Sequence, residues 1–266
     1  MLVNIADLIL EIKGGLQENY IRNWRQFENS NVTHKDCILI VPKYNYVAYS
    51  LESLKIEEDF KAAQVYKYNK SFMTVDAKWK SAYVFENDDE ASWTIFANMV
   101  FYTHAVQRHM IQIHSSMIEY SGNGLLFLGP SGIGKTTMAE LWNKYRGALI
   151  INGDMNFVQE ADECFLGWGT PWHGSSPYCE NTSVPVKALI VLKQAPENSI
   201  RELTGFEKVT AVSNNVFYPR WLEGGMELCL ETLNHLLSAL PVYELSCRPD
   251  EEAVRLTEEA VFGGSV

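Results

Sequence analysis

Short apolar runs bounded by polar turn residues recur along the first part of the chain: CILIV at 37–41, YNYVAY at 44–49, FMTV at 72–75 and SAYVF at 81–85. Such runs, rich in β-branched and aromatic residues, predict strands, so residues 1–110 read as a small, mostly β region. The period then changes. Between Ala91 and Met110, Trp93, Phe96 and Val100 fall on one line of a helix, and Ile95, Met99, Tyr102 and Val106 on another. The acidic NDDE at 87–90 precedes them and suits a helix start, where carboxylates face the positive end of the helix dipole. An aromatic stripe at this spacing is a core feature rather than a ligand box, and the helix closes the N-terminal region.

Two short strands are expected next, MIQIH at 110–114, ended by His114, and SMIEY at 116–120, followed by a turn containing Gly122 and Gly124 and by the apolar run GLLFL at 124–128. A helix begins in TMAELW at 137–142. Downstream, GALII, NFVQ, ECFLGW and VKALIVL read as strands, the last a continuous apolar run of the kind buried on both faces. MELCLETLNHLLSAL at 226–240 has helical spacing, PVYELSC returns as a strand, and an acidic helix runs from Asp250 to about Ala260. The pattern contains no internal repeat. It predicts an α/β domain over 111–266 behind the region 1–110.

Composition narrows the function classes. With 47% hydrophobic and 21% charged residues the 266-residue chain is an ordinary folded protein. Its formal net charge of −11 and pI near 5.1 come with no basic stripe, which argues against nucleic acid as a partner. No stretch approaches the apolar length of a membrane span, and the N-terminus lacks a basic lead-in, so no membrane association and a cytoplasmic location are expected. The five cysteines are widely spaced without a C-x-x-C pair, a pattern of reduced thiols rather than a disulfide frame or a zinc site.

The chemistry concentrates in FLGPSGIGKTT, residues 127–137. Gly129, Gly134, Lys135 and Thr136 satisfy G-x-x-x-x-G-K-[ST], in which glycines let successive backbone N–H groups turn inward on phosphate oxygens. The whole segment Gly129, Pro130, Ser131, Gly132, Ile133, Gly134, Lys135, Thr136 and Thr137 is expected to hold a nucleotide, with Lys135 on the β- and γ-phosphates and Thr136 on Mg²⁺. The helix that follows aims its N-terminal dipole at the same anion. A second carboxylate on the metal side is expected after the next strand, and Asp154, in Asn152-Gly153-Asp154, stands there. His114 lies upstream on a segment that a GNG hairpin would fold back beside the loop. A lone histidine is more often structural.

The run HSSMIEYSGNGLLFLGPSGIGKTT followed by LIINGDMNF resembles the nucleotide core shared by HPr kinase/phosphorylase and the phosphoenolpyruvate carboxykinases. The resemblance covers roughly residues 111–195. It implies a P-loop kinase core, phosphate held by Ser131, Gly132, Gly134 and Lys135, and Mg²⁺ held by Thr136. It also matches Asp154 to the second member of an Asp-Asp pair, and His114 to a histidine beside the reacting phosphate or metal. The implied activity is ATP- and Mg²⁺-dependent phosphoryl transfer to a hydroxyl, with Lys135, Asp154 and His114 as catalytic residues and a Ser or Thr of a peptide or protein as acceptor. The resemblance also allows a homo-oligomer, although no segment marks an assembly surface.

Three departures bear on that reading. Gly153 stands where the HPr kinases carry the first aspartate, Thr137 replaces a glutamate, and an arginine-containing signature is replaced by GTPWHGSSPYCENTSVPVKALIVL. The TPWHGSS part, with Trp172, His173 and Ser175, is a candidate substrate loop, and as easily a turn whose Trp172 covers the core. His173 is a candidate replacement base, and Lys187 or Arg220 a candidate charge clamp. A base role for His114 predicts a transfer rate rising through roughly pH 6 to 7. Gly153→Asp is expected to raise the rate or leave it unchanged, provided the backbone tolerates a side chain. Two alternatives stay open: a non-catalytic ATP-binding regulatory module, which the Gly153 departure favours, and a small-metabolite kinase or carboxykinase-like enzyme.

Overall fold

The computed structural model describes residues 1–15, 17–42, 56, 59–85 and 89–263, in two compact units, Met1–His104 and Ala105–Val266. Each unit is built on a mixed sheet, and the chain has an α/β fold. Among the described residues no helix is long and apolar enough to cross a membrane.

In the first unit, β1 (Leu2–Ile5) and β2 (Leu8–Gly14) form a hairpin whose two turn residues, Ala6 and Asp7, hold φ of 50° and 59°. This left-handed pair matches the twist of the flanking strands. After α1 (Glu18–Ile21) and a 3₁₀ turn (Arg22–Phe27), β3 (Cys37–Val41) lies parallel to β2. The CILIV alternation is explicit there, with Cys37, Leu39 and Val41 buried and the residues between them partly exposed. β4 (Ala62–Tyr68), β5 (Ser71–Asp76) and β6 (Ser81–Phe85) complete a six-stranded sheet of order β1-β2-β3-β6-β5-β4. The helix expected from 91 to 110 is α2 (Glu90–Val106), with Trp93, Phe96, Val100, Tyr102 and Val106 buried. YNYVAY lies outside the described residues.

The second unit begins with one long strand. MIQIH and SMIEY are not two strands but one, β7 (Met110–Tyr120), and His114 sits in its middle rather than at an end. The polar HSS that suggests a break marks a change of partners instead. Residues 110–114 pair with β10 (Met155–Glu160), whereas 115–120 pair with β8 (Asn123–Leu128). Ser115 and Ser116 are fully buried at the junction, where Ser115 is bonded through Asn156, whose Nδ2 donates to the Ser115 carbonyl (2.5 Å) and Oγ (3.0 Å). The turn from β7 to β8 is also shorter than GNG suggests. It consists of Ser121 and Gly122, with φ of 52° and 74°, while Gly124 lies in β8, where a Cβ would meet Val184 Cγ1 at 2.7 Å.

From β8 the chain enters the glycine-rich segment and then α3 (Lys135–Arg146), stopped by Gly147 at φ 68°, whose N–H bonds to the Asn143 carbonyl. There follow β9 (Leu149–Asn152), β10, β11 (Phe165–Trp168) and the long β12 (Ser183–Gln194). Three elements missing from the sequence reading come next: β13 (Ser199–Glu202), α4 (Gly205–Ser213) and β14 (Val216–Phe217). α5 (Gly225–Ala239), β15 (Val242–Cys247) and α6 (Glu251–Phe262) end the unit. The nine-stranded sheet has a parallel centre, β8-β12-β15, flanked by antiparallel neighbours. That centre accounts for the unbroken apolar runs: Leu125 and Phe127 of β8, Ala188 and Ile190 of β12, and Leu245 of β15 share one core with Met138 and Trp142 of α3 and Ala253 and Val254 of α6. Each large side chain buried there contributes about 1.5–3 kcal/mol. Arg146 at the end of α3 bonds Glu258 of α6 at 2.6 Å, fixing the helix that starts at the glycine loop.

Candidate functional site

The loop from Gly129 to Gly134 joins the carboxyl end of β8 to the amino end of α3. Gly129, Gly132 and Gly134 hold φ of 142°, 79° and 113°, values that side chains disfavour. At Gly132 and Gly134 a Cβ would meet nothing within 4 Å, so backbone conformation rather than space requires glycine there. The Lys135 side chain folds back over this turn, and its Nζ donates to the carbonyls of Gly129 (3.0 Å) and Pro130 (3.3 Å). Burial pushes the Lys135 pKa below the ordinary lysine value, and the negative charge of Asp154 offsets part of that. A buried cation beside a helix N-terminus is a local excess of positive charge, which attracts anions.

Asn215, between α4 and β14, anchors the loop. Its Oδ1 accepts the Gly129 N–H (3.0 Å), its Nδ2 donates to Ala211 O (2.9 Å), and its main-chain carbonyl accepts the His114 N–H (2.8 Å). One buried amide thus fixes the start of the loop and the middle of β7. Nothing local in SNNVF announces this, because the contact closes across 86 positions of the chain.

The opposite wall is the turn Asn152-Gly153-Asp154. Asn152 is fully buried; its Oδ1 accepts N–H bonds from Asp154 (2.9 Å) and Met155 (3.2 Å), while its Nδ2 donates to the carbonyls of Thr170 (3.0 Å) and Trp172 (3.1 Å). The Gly153 carbonyl accepts from Thr136 Oγ1 (3.3 Å) and Ser116 Oγ (3.4 Å), tying the turn to α3 and β7. The Asp154 carboxylate meets His114 Nε2 at 3.1 Å, both side chains being about a quarter exposed. His114, far from Asp154 in sequence, is opposite Met155 in the β7–β10 register, and Asp154 is the residue just before that strand, which is why the two side chains meet.

The segment after Thr170 packs directly on this turn. A Cβ on Gly153 would lie 1.9 Å from Ser176 Oγ, and a Cβ on Gly174 would lie 2.3 Å from Asp154 Oδ2. Ser176 is held by its own loop, with its N–H on the His173 carbonyl (3.1 Å), its carbonyl against His173 Nδ1 and its Oγ accepting the Tyr178 N–H (3.2 Å). The condition attached to Gly153→Asp is therefore not met: Ser176 fills the space a side chain would need. Gly153→Asp is expected to destabilise the fold by about 1–3 kcal/mol, as overpacking does, and the double variant Gly153→Asp/Ser176→Gly to recover most of that. Thermal unfolding of wild type and the two variants decides it.

A cavity of about 390 Å³ opens between these walls. Lys135, Thr136, Asp154, His114 and Ser175 line it, together with Ser131, Gly132, Gly134, Thr137, Gly153 and Ser176. The structure thus brings together most of the residues singled out in the sequence, and adds Ser176 to them. Others lie elsewhere. Ile133 faces a neighbouring cavity, and Gly129 and Pro130 contribute carbonyls to Lys135 rather than lining the space. Trp172 is buried against Phe157, with ring centroids 6.2 Å apart, and is a core residue. His173 shapes its own loop instead of facing the cavity. Lys187 stacks over the Phe262 ring at 5.5 Å, and neither it nor Arg220 lines the cavity. Among the described residues no group of three or more His, Cys, Asp or Glu is arranged to hold a metal.

No curated protein matches this sequence. Among solved structures, the Hpr(Ser) kinase/phosphatase from Coxiella burnetii matches with a TM-score of 0.36 and 10% identity, over 56% of this chain and 95% of that one. At that score the likeness decides neither fold nor activity. The family model described as SynChlorMet cassette protein ScmC matches residues 83–247, from β6 to the end of β15, a span that takes in the glycine loop, His114, Asp154 and the loop carrying Ser175 and Ser176, the serine loop. The chain belongs to the ScmC family.

Proposed function

We propose that the chain is a phosphotransferase that binds ATP with Mg²⁺ and transfers the terminal phosphoryl group to a serine or threonine hydroxyl of a peptide or protein. The observation that carries this reading is the convergence of Lys135, Thr136, Asp154, His114 and the serine loop on one cavity at the amino end of α3. The glycine loop and Lys135 would hold the phosphates. Mg²⁺ fits the donors present: the Thr136 hydroxyl and the Asp154 carboxylate line the same space, and such a hydroxyl–carboxylate pair suits an ion that completes its octahedron with phosphate oxygens and water. Bound there, the metal would neutralise charge developing on the transferred group.

The chain's own part is positioning. The acceptor oxygen forms its bond to the γ-phosphorus as the bond to the β–γ bridging oxygen breaks, ADP departs, and the hydroxyl proton passes to His114, which the Asp154 carboxylate orients. His114→Ala is expected to lower transfer by about 10²–10⁴-fold with little change in ATP affinity. Incubation with γ-labelled ATP, Mg²⁺ and serine- or threonine-containing peptides checks both statements. Label on a peptide hydroxyl supports the reading, and label that never leaves ATP, or leaves only as inorganic phosphate, contradicts it. ATP bound without transfer would favour a regulatory module, the reading to which the filled space at Gly153 points.

A further inference from the structure

A second cavity, of about 400 Å³, adjoins the first and shares Gly132, Gly134 and Thr137 with it. Its lining differs in kind. Ile133, Met138 and Leu192 give it an apolar floor, Ala195 and Pro249 an apolar edge, and Gln194 and Arg248 polar groups at the rim. Leu192–Ala195 are the end of β12 and the residue beyond it, and Cys247–Pro249 are the end of β15 and the residues beyond it. These strands run parallel to β8, so the glycine loop and both segments emerge at the same edge of the sheet. In open α/β sheets, ligands bind outside the carboxyl ends of the strands. The edge is stiff: the Ala195 N–H bonds to the Cys247 carbonyl (3.1 Å), the Arg248 N–H to Asn198 Oδ1 (2.8 Å), and Gln194 Nε2 to the Ile133 carbonyl (3.4 Å).

Resting on the nucleotide reading, we propose that this second cavity is the nucleoside site and that the glycine loop divides donor from acceptor. The triphosphate lies in the polar cavity, the chain of atoms from phosphate to ribose passes over Gly132, Gly134 and Thr137, and the base lies flat on Ile133, Met138 and Leu192. Both the size and the apolar lining with a few polar groups are those of a small-molecule pocket. The acceptor then has only the other side of the phosphates, where Ser175 and Ser176 form the wall. The assignment separates phosphate affinity from nucleoside affinity residue by residue.

The test compares Mg²⁺-ATP, Mg²⁺-GTP and inorganic tripolyphosphate as probes, by calorimetry on the full chain. Ala195→Trp fills the cavity, and Gln194→Trp, at an exposed position, does so from the rim at the loss of one long hydrogen bond, to the Ile133 carbonyl (3.4 Å). Both are expected to weaken the nucleoside triphosphate that wild type prefers by at least ~10-fold while leaving tripolyphosphate within about twofold. Folded tryptophan variants that bind the nucleotide as wild type does, or a wild type that binds tripolyphosphate as tightly as either nucleotide, would overturn the assignment while leaving phosphate binding at Lys135 intact. A wild type that binds none of the three probes removes the nucleotide reading itself and this site with it.

Discussion

Asp154→Asn is expected to lower the rate of phosphoryl transfer at least ~100-fold while leaving the fold in place, because electrostatic groups at a transferring phosphoryl are worth a few kcal/mol. The two bonds that seat residue 154 are made by its backbone. Its N–H donates to Asn152 Oδ1 and its carbonyl accepts from the Ser115 N–H (2.9 Å), so asparagine keeps both. What is lost is the negative charge. Asp154 raises the pKa of buried Lys135 against the effect of burial, orients His114 at 3.1 Å, and is the one carboxylate lining the cavity among the described residues. Matching melting curves with a collapsed rate would support the assignment. A well-folded variant with a near-normal rate would move the metal-side ligand to another residue.

Lys135→Ala should show the second large effect, a fall in ATP affinity of ~100-fold or more, since a charged hydrogen-bond donor removed from a buried anion site costs about 1.5–3 kcal/mol or more. Lys135→Met isolates the charge from the packing, because methionine keeps the length of the stem. In both variants the stabilisation expected from ATP in wild type, about 2.7 kcal/mol at a hundred times Kd, should fall to about 0.4 kcal/mol or less at the same ligand concentration. A thermal shift by ATP equal to that of wild type would place phosphate recognition elsewhere.

The parts of the site that the sequence reveals are those whose cause is local. A glycine needed at φ near 79° or 113° shows as a glycine, and a helix amino end shows in GKTTMAEL. Where the cause is distant, the pattern is silent or misleading. His-Ser-Ser looks like a strand end because burying two serines is costly, yet Asn156 of another strand bonds Ser115 and the Gly153 carbonyl accepts from Ser116, which lets β7 run through. Asn215 reaches Gly129 across 86 positions, which no periodicity encodes. Gly153 reads as a lost catalytic aspartate, and only the packing reveals Ser176 filling that space. Trp172 and His173 stand out in the sequence as unusual residue types in a loop, and their work is to pack the core and to shape the turn that carries Ser176.

Titration calorimetry of the wild-type chain with ATP in the presence of Mg²⁺, beside the same titration of Lys135→Ala, tests most directly whether the glycine loop holds a nucleotide. One saturable site per chain is expected in the wild type, and its loss, or a fall in affinity of ~100-fold, in the variant. Absence of saturable heat in the wild type, or equal affinity in the two proteins, would contradict that expectation.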